Sequence, residues 1–532
     1  MTRITESIVR FLLLSITFVA CAGTLLVEPL LAQTQAGEGN AGGENWPFGV
    51  APGASRMAKK FDLFNLGLLG AKAWDADRPE PSAEMTQGKR RTESSPFDGK
   101  DDGPSRLVVR ALLGGGPAQQ AGIKLGDVIL GAGKKKFSKG SFAPLAAALV
   151  AAESKRGTVE VTVERDGKTQ KIVVTIPVTS AAAKKPAYGE QRRKIVDDAL
   201  AFLAQQQQGD GGFAPTLGGV NGQSVNACLA GLAWLAGGSS LTDGPYKENL
   251  AKARDFVVKS LGQQDRLGTS GGANWDQTNW KYAHAGIFLG ELQLRSPADD
   301  LKPVLSDIAT KLCARQEASG GFAHGPGGPN ALGYLELNIV GGFVVSALGQ
   351  VKQAGAQFDQ KVVTQLNAYL EKSSSGSGGV AYSTKAGQIG HGNVGRTAIA
   401  WLGNVGLGLR SKPFPKKMEK WLKREIASVM SGHASLMQHI MLAGVAAKAL
   451  GSKSTKAYWK VLERDLTLCR CPDGSIQMRP WHESLNMGSN SDVTMGQIWS
   501  TASWAIVLAA DGFANQGEVA GGLPGWIGTR AK

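Results

Sequence analysis

A sixfold repeat between about residues 190 and 512 constrains the fold of this chain more than any other feature. Each repeat has a helix-like run, a glycine-rich turn and a second, more apolar run. Successive turns lie roughly 40–60 residues apart, the spacing of helical repeats, and this leaves room for two short helices. The turns read Gly209-Asp210-Gly211-Gly212-Phe213, Ser270-Gly271-Gly272-Ala273, Ser319-Gly320-Gly321-Phe322, Ser377-Gly378-Gly379-Val380, Ser431-Gly432-His433-Ala434 and Pro472-Asp473-Gly474-Ser475. The repeating unit is therefore a helical hairpin.

The two runs of each repeat differ in polarity. The first carries charge on one face, as in residues 416–430, and the second is apolar nearly all round, as in residues 339–351. The first helix is predicted to face solvent and the second to be buried. An open solenoid would need polar capping repeats at both ends, whereas the last run stays apolar to Ala510. We therefore predict a closed (α/α)6 toroid over 190–512, followed by a tail at 513–532.

Short sequence strings around the glycine-rich turns resemble those of a known superfamily. The strings Gln205-Gln206-Gln207-Gln208-Gly209-Asp210-Gly211-Gly212-Phe213 and Arg315-Gln316-Glu317-Ala318-Ser319-Gly320-Gly321-Phe322 resemble the repeat of the prenyltransferase and squalene cyclase superfamily. That resemblance implies an α/α toroid. It implies no activity, because the sequence has neither the Asp-x-Asp-Asp cluster of class II terpene cyclases nor the Cys-Gly-Glu-Gln string of thioester toroids.

A second module is predicted ahead of the toroid. Residues 105–178 contain valine-rich runs typical of strands and one helix-like run. The strings Pro117-Ala118-Gln119-Gln120-Ala121-Gly122 and Gly126-Asp127-Val128-Ile129 resemble the bacterial PDZ pattern. The fold class is thus multidomain, with a small β-rich PDZ-like domain at 61–178 that holds an inserted polar loop at 75–104.

The PDZ resemblance implies a peptide partner. PDZ domains hold a peptide or protein C-terminus on backbone N–H groups and add the peptide to a sheet edge. The matching carboxylate-binding loop would consist of Leu66, Gly67, Leu68, Leu69 and Gly70. The alternative is that the domain packs against the toroid and binds no peptide.

The amino end predicts export. Two arginines precede an apolar stretch at 11–27, the pattern of a secretory signal peptide at 1–32 with cleavage after Ala22 or Ala32. We expect a periplasmic, cell-envelope or extracellular protein with no transmembrane span after signal removal. Residues 33–60 are expected to be a disordered linker.

The linker between the modules is predicted at 179–189, which is rich in alanine, lysine and proline. The combination of an export signal, a PDZ module and a helical toroid also resembles an uncharacterised family of exported bacterial proteins. No activity comes with that resemblance.

Charge and cysteine content exclude some functions. Lys and Arg exceed Asp and Glu by 59 to 44, but the basic residues form only short clusters near loops, so we expect no nucleic-acid partner. Five cysteines in 532 residues make no disulfide framework. Cys228 and Cys313 fall in apolar helical runs, where buried free thiols are expected. Cys469 and Cys471 form a C-x-C pair, which is a weak metal signal, and a structural role is the alternative.

The candidate site lies at one rim of the toroid. All six histidines fall in the repeats, and His324, His391 and His433 lie in connections that a toroid gathers at one mouth. The candidate catalytic residues are these three with Asp276, Glu336 and Arg396. The candidate ligand-binding residues of the mouth are His284, Asn338, Asn393 and His439. Helix N-termini at this rim suit an anionic ligand, and a glycan is the other candidate.

Two functions remain open from the sequence. The first is a binding or scaffolding protein, and the second is an acid–base or metal-dependent hydrolase or lyase, with Asp492 as a further acid–base candidate. The sequence has no H-E-x-x-H motif and no paired C-x-x-C, so no metal site and no cofactor can be assigned. Three or more of the candidate side chains within hydrogen-bond reach would favour the enzyme. Side chains satisfied by loop backbone would favour binding.

Overall fold

The structure is a computed structural model. It describes residues 63–77, 102–178, 189–214, 219–263, 266–267, 275–325, 335–431, 435–477, 491–515 and 518–528. The predicted signal peptide, the linker at 33–60 and most of the loop at 75–104 lie outside these residues. Within the described ranges, no helix has the length and apolar character needed to span a membrane.

The first module is a seven-stranded antiparallel sheet with one long helix. Its strands are β1 (Phe64–Asn65), β2 (Ala71–Asp75), β3 (Leu107–Leu112), β4 (Val128–Ala132), β5 (Lys135–Lys136), β6 (Thr158–Arg165) and β7 (Lys168–Thr175). They pair in the order β1-β2-β3-β4-β6-β7, and β5 pairs with β4. The helices are α1 (Pro117–Gln120) and α2 (Phe142–Ala151). Alternating valines of β6 bury one face of the sheet, as the strand period requires.

An aromatic contact joins the edge of this sheet to α2. The Phe64 ring of β1 stacks on Trp74 of β2 at 5.7 Å between centroids, and meets Phe142 of α2 edge-on at 5.4 Å. β1 therefore lies along β2 with its aromatic side chain against α2. The predicted PDZ-like fold is confirmed.

The second module is a closed ring of helices. Its inner helices are α4 (Val220–Ala236), α6 (Thr278–Arg295), α8 (Asn338–Gln353), α10 (Val394–Gly406), α12 (Leu436–Leu450) and α14 (Ser491–Ala509). Each inner helix packs on the next, and α14 packs on α4. The toroid prediction is confirmed, and the open solenoid is excluded because the last inner helix contacts the first.

Amphipathic helices form the outer ring. They are α3 (Gly189–Gln206), α5 (Lys247–Leu261), α7 (Leu301–Ala314), α9 (Gln360–Ser373), α11 (Pro413–Glu425) and α13 (Ser452–Cys469). In α11 the buried Met418, Trp421 and Leu422 recur at helical spacing, and the intervening lysines are exposed. Two short hairpins complete the chain, β8 (Arg266–Leu267) with β9 (Trp275–Asp276), and β10 (Phe513–Asn515) with β11 (Glu518–Ala520).

Four of the glycine-rich turns are described by the structure, and each packs against the outer helix of the next repeat. The residues Gly211, Gly320, Gly378 and Gly474 have φ of 91°, 89°, 90° and 87°. A Cβ at Gly211 would lie 2.1 Å from the Lys252 carbonyl oxygen, and one at Gly320 would lie 2.8 Å from that of Gln365. The turn therefore needs glycine both for its left-handed backbone and for the close approach.

The second glycine of the turn has a different role. The sequence alone does not show which glycine of a turn has positive φ. In the structure positive φ belongs to Gly211 and Gly320, and not to Gly212 and Gly321. A Cβ at Gly212 would lie 2.6 Å from the Phe256 ring, and one at Gly321 would lie 2.8 Å from the Tyr369 ring. These glycines therefore make room for an aromatic side chain of the next outer helix.

A glutamine before the turn ties successive repeats together. The Gln207 side-chain amide donates to the carbonyls of Gly211 and Asn249, each at 3.0 Å. Gln316 does the same with Gly320 at 3.0 Å and Val362 at 2.9 Å. Each glutamine thus bonds to one carbonyl of its own turn and to one carbonyl in the first turn of the next outer helix, which holds these two hairpins against their neighbours.

The tail closes one end of the barrel. Trp526 is buried and donates from Nε1 to Ser346 Oγ of α8 at 3.0 Å. The buried Glu291 carboxyl of α6 accepts from the backbone N–H groups of Gly525 at 3.3 Å and Trp526 at 3.1 Å. Ser346 lies in the middle of α8, whereas Glu291 lies near the C-terminal end of α6. Gln353, the last residue of α8, donates to the Gly525 carbonyl at 3.2 Å, so the tail covers the C-terminal ends of these inner helices. The N-terminal ends, where the glycine-rich turns enter, form the opposite rim, which we call the mouth.

The two modules share a buried contact. Asn65 Nδ2 of β1 donates to the Leu468 carbonyl of α13 at 2.6 Å, and Leu468 belongs to the core of the β module. Glu153 and Arg470 form an ion pair at 2.8 Å with side chains 0% and 7% exposed. The Gln191 side chain of α3 donates to the same carboxylate at 2.9 Å. The PDZ-like module is thus packed on the last repeat of the toroid.

Candidate functional site

Aromatic rings line the axis of the toroid near the mouth. The His284 ring of α6 stacks on Phe343 of α8 at 4.4 Å between centroids and lies 6.5 Å from Trp499 of α14. Trp280, one turn before His284, lies 5.6 Å from Phe343. Because α4 separates α6 from α14 in the ring, the contact between His284 and Trp499 crosses the interior. We call Trp280, His284, Phe343 and Trp499 the aromatic group.

His284 presents an unpaired acceptor within this group. Its Nδ1 lies 2.8 Å from the Trp280 carbonyl oxygen, so Nδ1 carries the proton and donates it. Nε2 is then a lone-pair acceptor. It is buried and has no hydrogen-bond partner among the described residues. Burial lowers the pKa of His284 to about 4, so the ring is neutral at physiological pH.

Two asparagines leave acceptors unpaired in the same way. Asn226 Nδ2 of α4 donates to the Met495 carbonyl at 3.2 Å, and Asn338 Nδ2 of α8 donates to the Ala381 carbonyl at 3.0 Å. A carbonyl partner fixes the amide orientation, because only the nitrogen can donate. The Oδ1 atoms of both residues are buried without a partner in the described part of the chain. Together with His284, three neighbouring inner helices carry unpaired acceptors.

The Asp492 carboxylate is a fixed anchor. It accepts hydrogen bonds from the Ser435 hydroxyl, from Met437 N at 3.0 Å and from Trp499 Nε1 at 2.9 Å. These bonds place a negative charge at the N-terminus of α12 and hold the Trp499 indole in the aromatic group. Asp492, an acid–base candidate from the sequence, therefore positions both α12 and Trp499.

The predicted catalytic residues that the structure describes have different surroundings. Trp280 Nε1 donates to His324 Nδ1 at 2.7 Å, which places His324 beside the aromatic group. Glu336, just before α8, accepts a hydrogen bond at 2.7 Å from the hydroxyl of Ser319, which lies in the glycine-rich turn of the same repeat. The His391 side chain is exposed. His433 lies outside the described residues, and only the backbone of Asp276 is described, in β9.

Arg396 and its neighbours lie at the start of α10. Asn393 caps this helix by accepting from Arg396 N at 3.2 Å. The Arg396 side chain is 7% exposed, and its guanidinium lies 5.6 Å from the centre of the Tyr382 ring. Burial lowers the pKa of Arg396 to about 10. His439 of α12 is buried against Gly395, where a Cβ would lie 2.2 Å from His439 Nδ1.

The loop predicted to bind a peptide end is covered by the toroid. Gly67, Leu68 and Leu69 form a buried 3-10 turn. A Cβ at Gly67 would lie 2.8 Å from the Thr467 carbonyl oxygen of α13, and one at Gly70 would lie 3.2 Å from the Pro472 ring. A peptide carboxylate could reach these N–H groups only after this part of α13 moved away. Peptide binding by Leu66 to Gly70 stays a prediction.

Metal and thiol chemistry receive no support from the described residues. Among them, no three His, Cys, Asp or Glu side chains are placed to hold a metal ion. Cys228, Cys313, Cys469 and Cys471 form no disulfide in the described part of the chain. Burial raises the pKa of the Cys471 thiol, which opposes thiolate formation.

Sequence reasoning missed most of the aromatic group. Trp280, Phe343 and Trp499 fall in apolar helices and look like ordinary core residues. Asn226 is a polar residue inside an apolar run, and that signal could have identified it. His284, Asn338 and Arg396 were named from the sequence, and the structure places them in the N-terminal parts of neighbouring inner helices α6, α8 and α10.

Fold and site together define an α/α toroid with a polar, aromatic-lined mouth and an attached PDZ-like module. A model of a domain of unknown function, DUF6288, matches residues 192–509, and the chain therefore belongs to that family. A PDZ domain model matches residues 84–176. The sequence matches no curated protein.

Solved structures resemble the toroid in fold. The GH76A alpha-1,6-mannanase from Salegentibacter sp. HEL1_6 is 9% identical with a TM-score of 0.41, and the match covers 59% of this chain and 99% of that chain. The type II terpene cyclase MstE from Scytonema is 14% identical with a TM-score of 0.34, covering 60% and 98%. Neither likeness bears on activity.

The free energy of unfolding is expected to depend on pH because His284 is buried as a neutral ring. The pKa of His284 is about 4 in the folded chain and about 6.5 when unfolded, so between these pH values the unfolded chain binds more protons. Wild type should therefore lose stability as the pH falls from 6.5 to 4, by up to about 3 kcal/mol relative to His284→Phe. Melting curves at half-unit pH steps measure this difference. Parallel Tm profiles for the two proteins would contradict a neutral, buried His284.

Proposed function

We propose that the protein is a binding or scaffolding protein whose toroid mouth holds a polyhydroxylated ligand, a glycan being the main candidate. The observation that carries this proposal is the set of unpaired acceptors on α4, α6 and α8. An unpaired buried polar atom costs about 1–3 kcal/mol, so three of them on adjacent helices, with no partner among the described residues, support a ligand as the partner.

The ligand class follows from the polarity of these atoms. His284 Nε2, Asn226 Oδ1 and Asn338 Oδ1 accept hydrogen bonds and cannot donate them. A ligand that donates, such as one rich in hydroxyl groups, pairs with all three. The buried rings of Phe343 and Trp499 beside His284 make the surroundings of these polar atoms apolar. A few fixed polar groups on an apolar lining are the usual composition of a small-molecule site.

Binding is favoured over catalysis by how the candidate residues are paired. His324 bonds to Trp280, Glu336 bonds to Ser319, and Asp492 is fixed by three donors. Among the described residues, the two ring nitrogens of His284 have no carboxylate partner, the pairing that general acid–base catalysis needs. The alternative function is that of a hydrolase or lyase whose active site is the same mouth.

We further propose that the protein acts after export, in the periplasm or at the cell envelope. The support is the apolar stretch at 11–27 behind two arginines. For the PDZ-like module we propose that it supports the toroid. Its loop at Gly67 packs against Thr467 of α13, and Asn65 in its edge strand β1 bonds to Leu468 of the same helix. Capture of a peptide end is the alternative for that module.

A glycan-binding measurement tests the proposed function. The purified chain without its first 32 residues is screened against immobilised glycans, and the best one is titrated by calorimetry. His284→Phe keeps the ring and removes the acceptor, so affinity should fall about tenfold, the loss of one good hydrogen bond. His391→Phe changes an exposed ring of the same rim and should bind like wild type.

Three results would oppose the proposal. The first is that no glycan binds to the wild type. The second is equal affinity for wild type and His284→Phe. The third is conversion of the bound glycan into products, seen by mass spectrometry after prolonged incubation, which would favour the hydrolase or lyase.

A further inference from the structure

We propose that Arg396 forms an anion-binding subsite of the mouth, so that the ligand is an acidic glycan whose carboxylate or sulfate pairs with this guanidinium. The inference rests on the proposed function, and it names the chemical class of the ligand. Its basis is a buried positive charge that the described part of the chain does not neutralise.

The Arg396 side chain makes few hydrogen bonds for an arginine that is this deeply buried. It is 7% exposed, and its one side-chain hydrogen bond to a described residue runs from Nε to the Val380 carbonyl at 3.5 Å, which is long. Its guanidinium lies over the Tyr382 ring at 5.6 Å, a weak cation–π contact. Among the described residues, no carboxylate lies within ion-pair distance of it.

Two other buried cations among the described residues pair with carboxylates. Arg470 pairs with Glu153 at 2.8 Å, and Lys448 pairs with Asp511 at 2.9 Å. Both charges are therefore compensated within the described part of the chain. Arg396 has no carboxylate partner there, which makes a ligand anion its candidate counter-charge.

The surroundings of Arg396 favour an anion. It is the third residue of α10, whose first N–H groups and dipole create positive potential at this end. Asn393 already caps one of those N–H groups, so the guanidinium is the main donor that remains. Its planar fork matches a carboxylate or a sulfate with two parallel hydrogen bonds.

The subsite adjoins the unpaired acceptors. α10 packs on α8, and Asn338, the first residue of α8, donates from its backbone N–H to the Tyr382 carbonyl at 3.1 Å. Tyr382 is the residue whose ring faces Arg396. One ligand can therefore place hydroxyl groups on α6 and α8 and an acidic group on α10. A uronic acid or a sulfated sugar combines both kinds of group.

The test compares matched probes on two proteins. Trigalacturonate, galactotriose and sulfated galactotriose are titrated against wild type and Arg396→Met, which keeps most of the side-chain length without the charge. Wild type should bind at least one acidic probe about tenfold or more tightly than galactotriose. Arg396→Met should lose this preference while its affinity for galactotriose stays within about twofold. The two acidic probes distinguish carboxylate from sulfate.

The Tm of the ligand-free proteins separates a binding role from a structural one. An uncompensated buried charge destabilises the fold, so Arg396→Met should melt at the same temperature as wild type or higher. A lower Tm for Arg396→Met, or a preference for acidic probes that survives in it, would overturn the inference. So would an acidic peptide that binds to wild type as tightly as the best acidic sugar.

The outcomes for inference and function can be told apart. If galactotriose binds to wild type and neither acidic probe binds better, the anion subsite is wrong and the proposed function stands. If none of the three probes binds and the glycan screen is also negative, both are wrong.

Discussion

Replacing Gly211 with alanine is expected to destabilise the protein by about 3–5 kcal/mol, among the largest effects of any single methyl group. Gly211 has φ of 91°, where an alanine backbone is strained. A Cβ there would lie 2.1 Å from the Lys252 carbonyl oxygen, which belongs to α5 and cannot rotate away as a side chain could. The substitution therefore separates the first turn from the second repeat.

Gly408 provides the matched control. It also has positive φ, 77°, but a Cβ there meets no atom within 4 Å. Gly408→Ala should cost about 1–2 kcal/mol, the backbone strain alone. Urea unfolding of both variants measures the difference. Equal losses would show that the close approach of turn and outer helix, which we describe for four repeats, does not stabilise the toroid.

Breaking the buried ion pair between the modules should have an effect of similar size. Arg470→Met leaves the Glu153 carboxylate buried without its ion-pair partner, and such a loss costs about 3–5 kcal/mol. The double variant Glu153→Leu with Arg470→Met removes both charges and should recover much of that loss. The coupling in a double-mutant cycle is the quantity to measure.

An exposed pair on the same module serves as the control. Lys171 and Glu160 lie 2.9 Å apart with side chains 68% and 39% exposed. Lys171→Met should change stability by less than about 1 kcal/mol. A loss of that small size for Arg470→Met would mean that the PDZ-like module is only loosely attached. Its loop at Leu66 to Gly70 would then be accessible to a peptide end.

The repeat architecture could be predicted because its determinants are local. Glycine, glutamine and apolar spacing fix each hairpin, and six hairpins of one kind leave few ways to bury six apolar helices. The PDZ-like fold was predictable for the same reason, through one turn and one strand motif. The separate roles of the two glycines in a turn could not be predicted, because adjacent glycines look alike in the sequence. Only the structure shows that Gly211 carries positive φ and that Gly212 faces an aromatic ring.

Contacts between distant parts of the chain could not be predicted. Asn65 and Leu468 are separated by 403 residues, and nothing near either residue in the sequence indicates the other. The same holds for the tail, where Trp526 bonds to Ser346 across 180 residues. The sequence placed residues 513–532 in a tail but could not show that part of it closes one end of the barrel.

The candidate site was predictable in part. A toroid brings equivalent turns to one rim, so His284, Asn338 and Arg396 could be assigned to the mouth from their positions in the repeats. Their states could not. Whether a buried histidine donates or accepts depends on the Trp280 carbonyl beside it. Whether a buried arginine is paired depends on residues far away in the chain.

Nitrogen-15 NMR of histidine-labelled protein, with and without the best-binding glycan, tests whether His284 Nε2 is a ligand acceptor. At pH 7 we expect a neutral His284 ring with its proton on Nδ1, identified by loss of its signals in His284→Phe. Saturation with the glycan should shift the Nε2 resonance in the direction of an acceptor that has gained a hydrogen bond. A charged ring at pH 7, a proton on Nε2, or an Nε2 resonance unchanged at saturation would contradict this role of His284 Nε2.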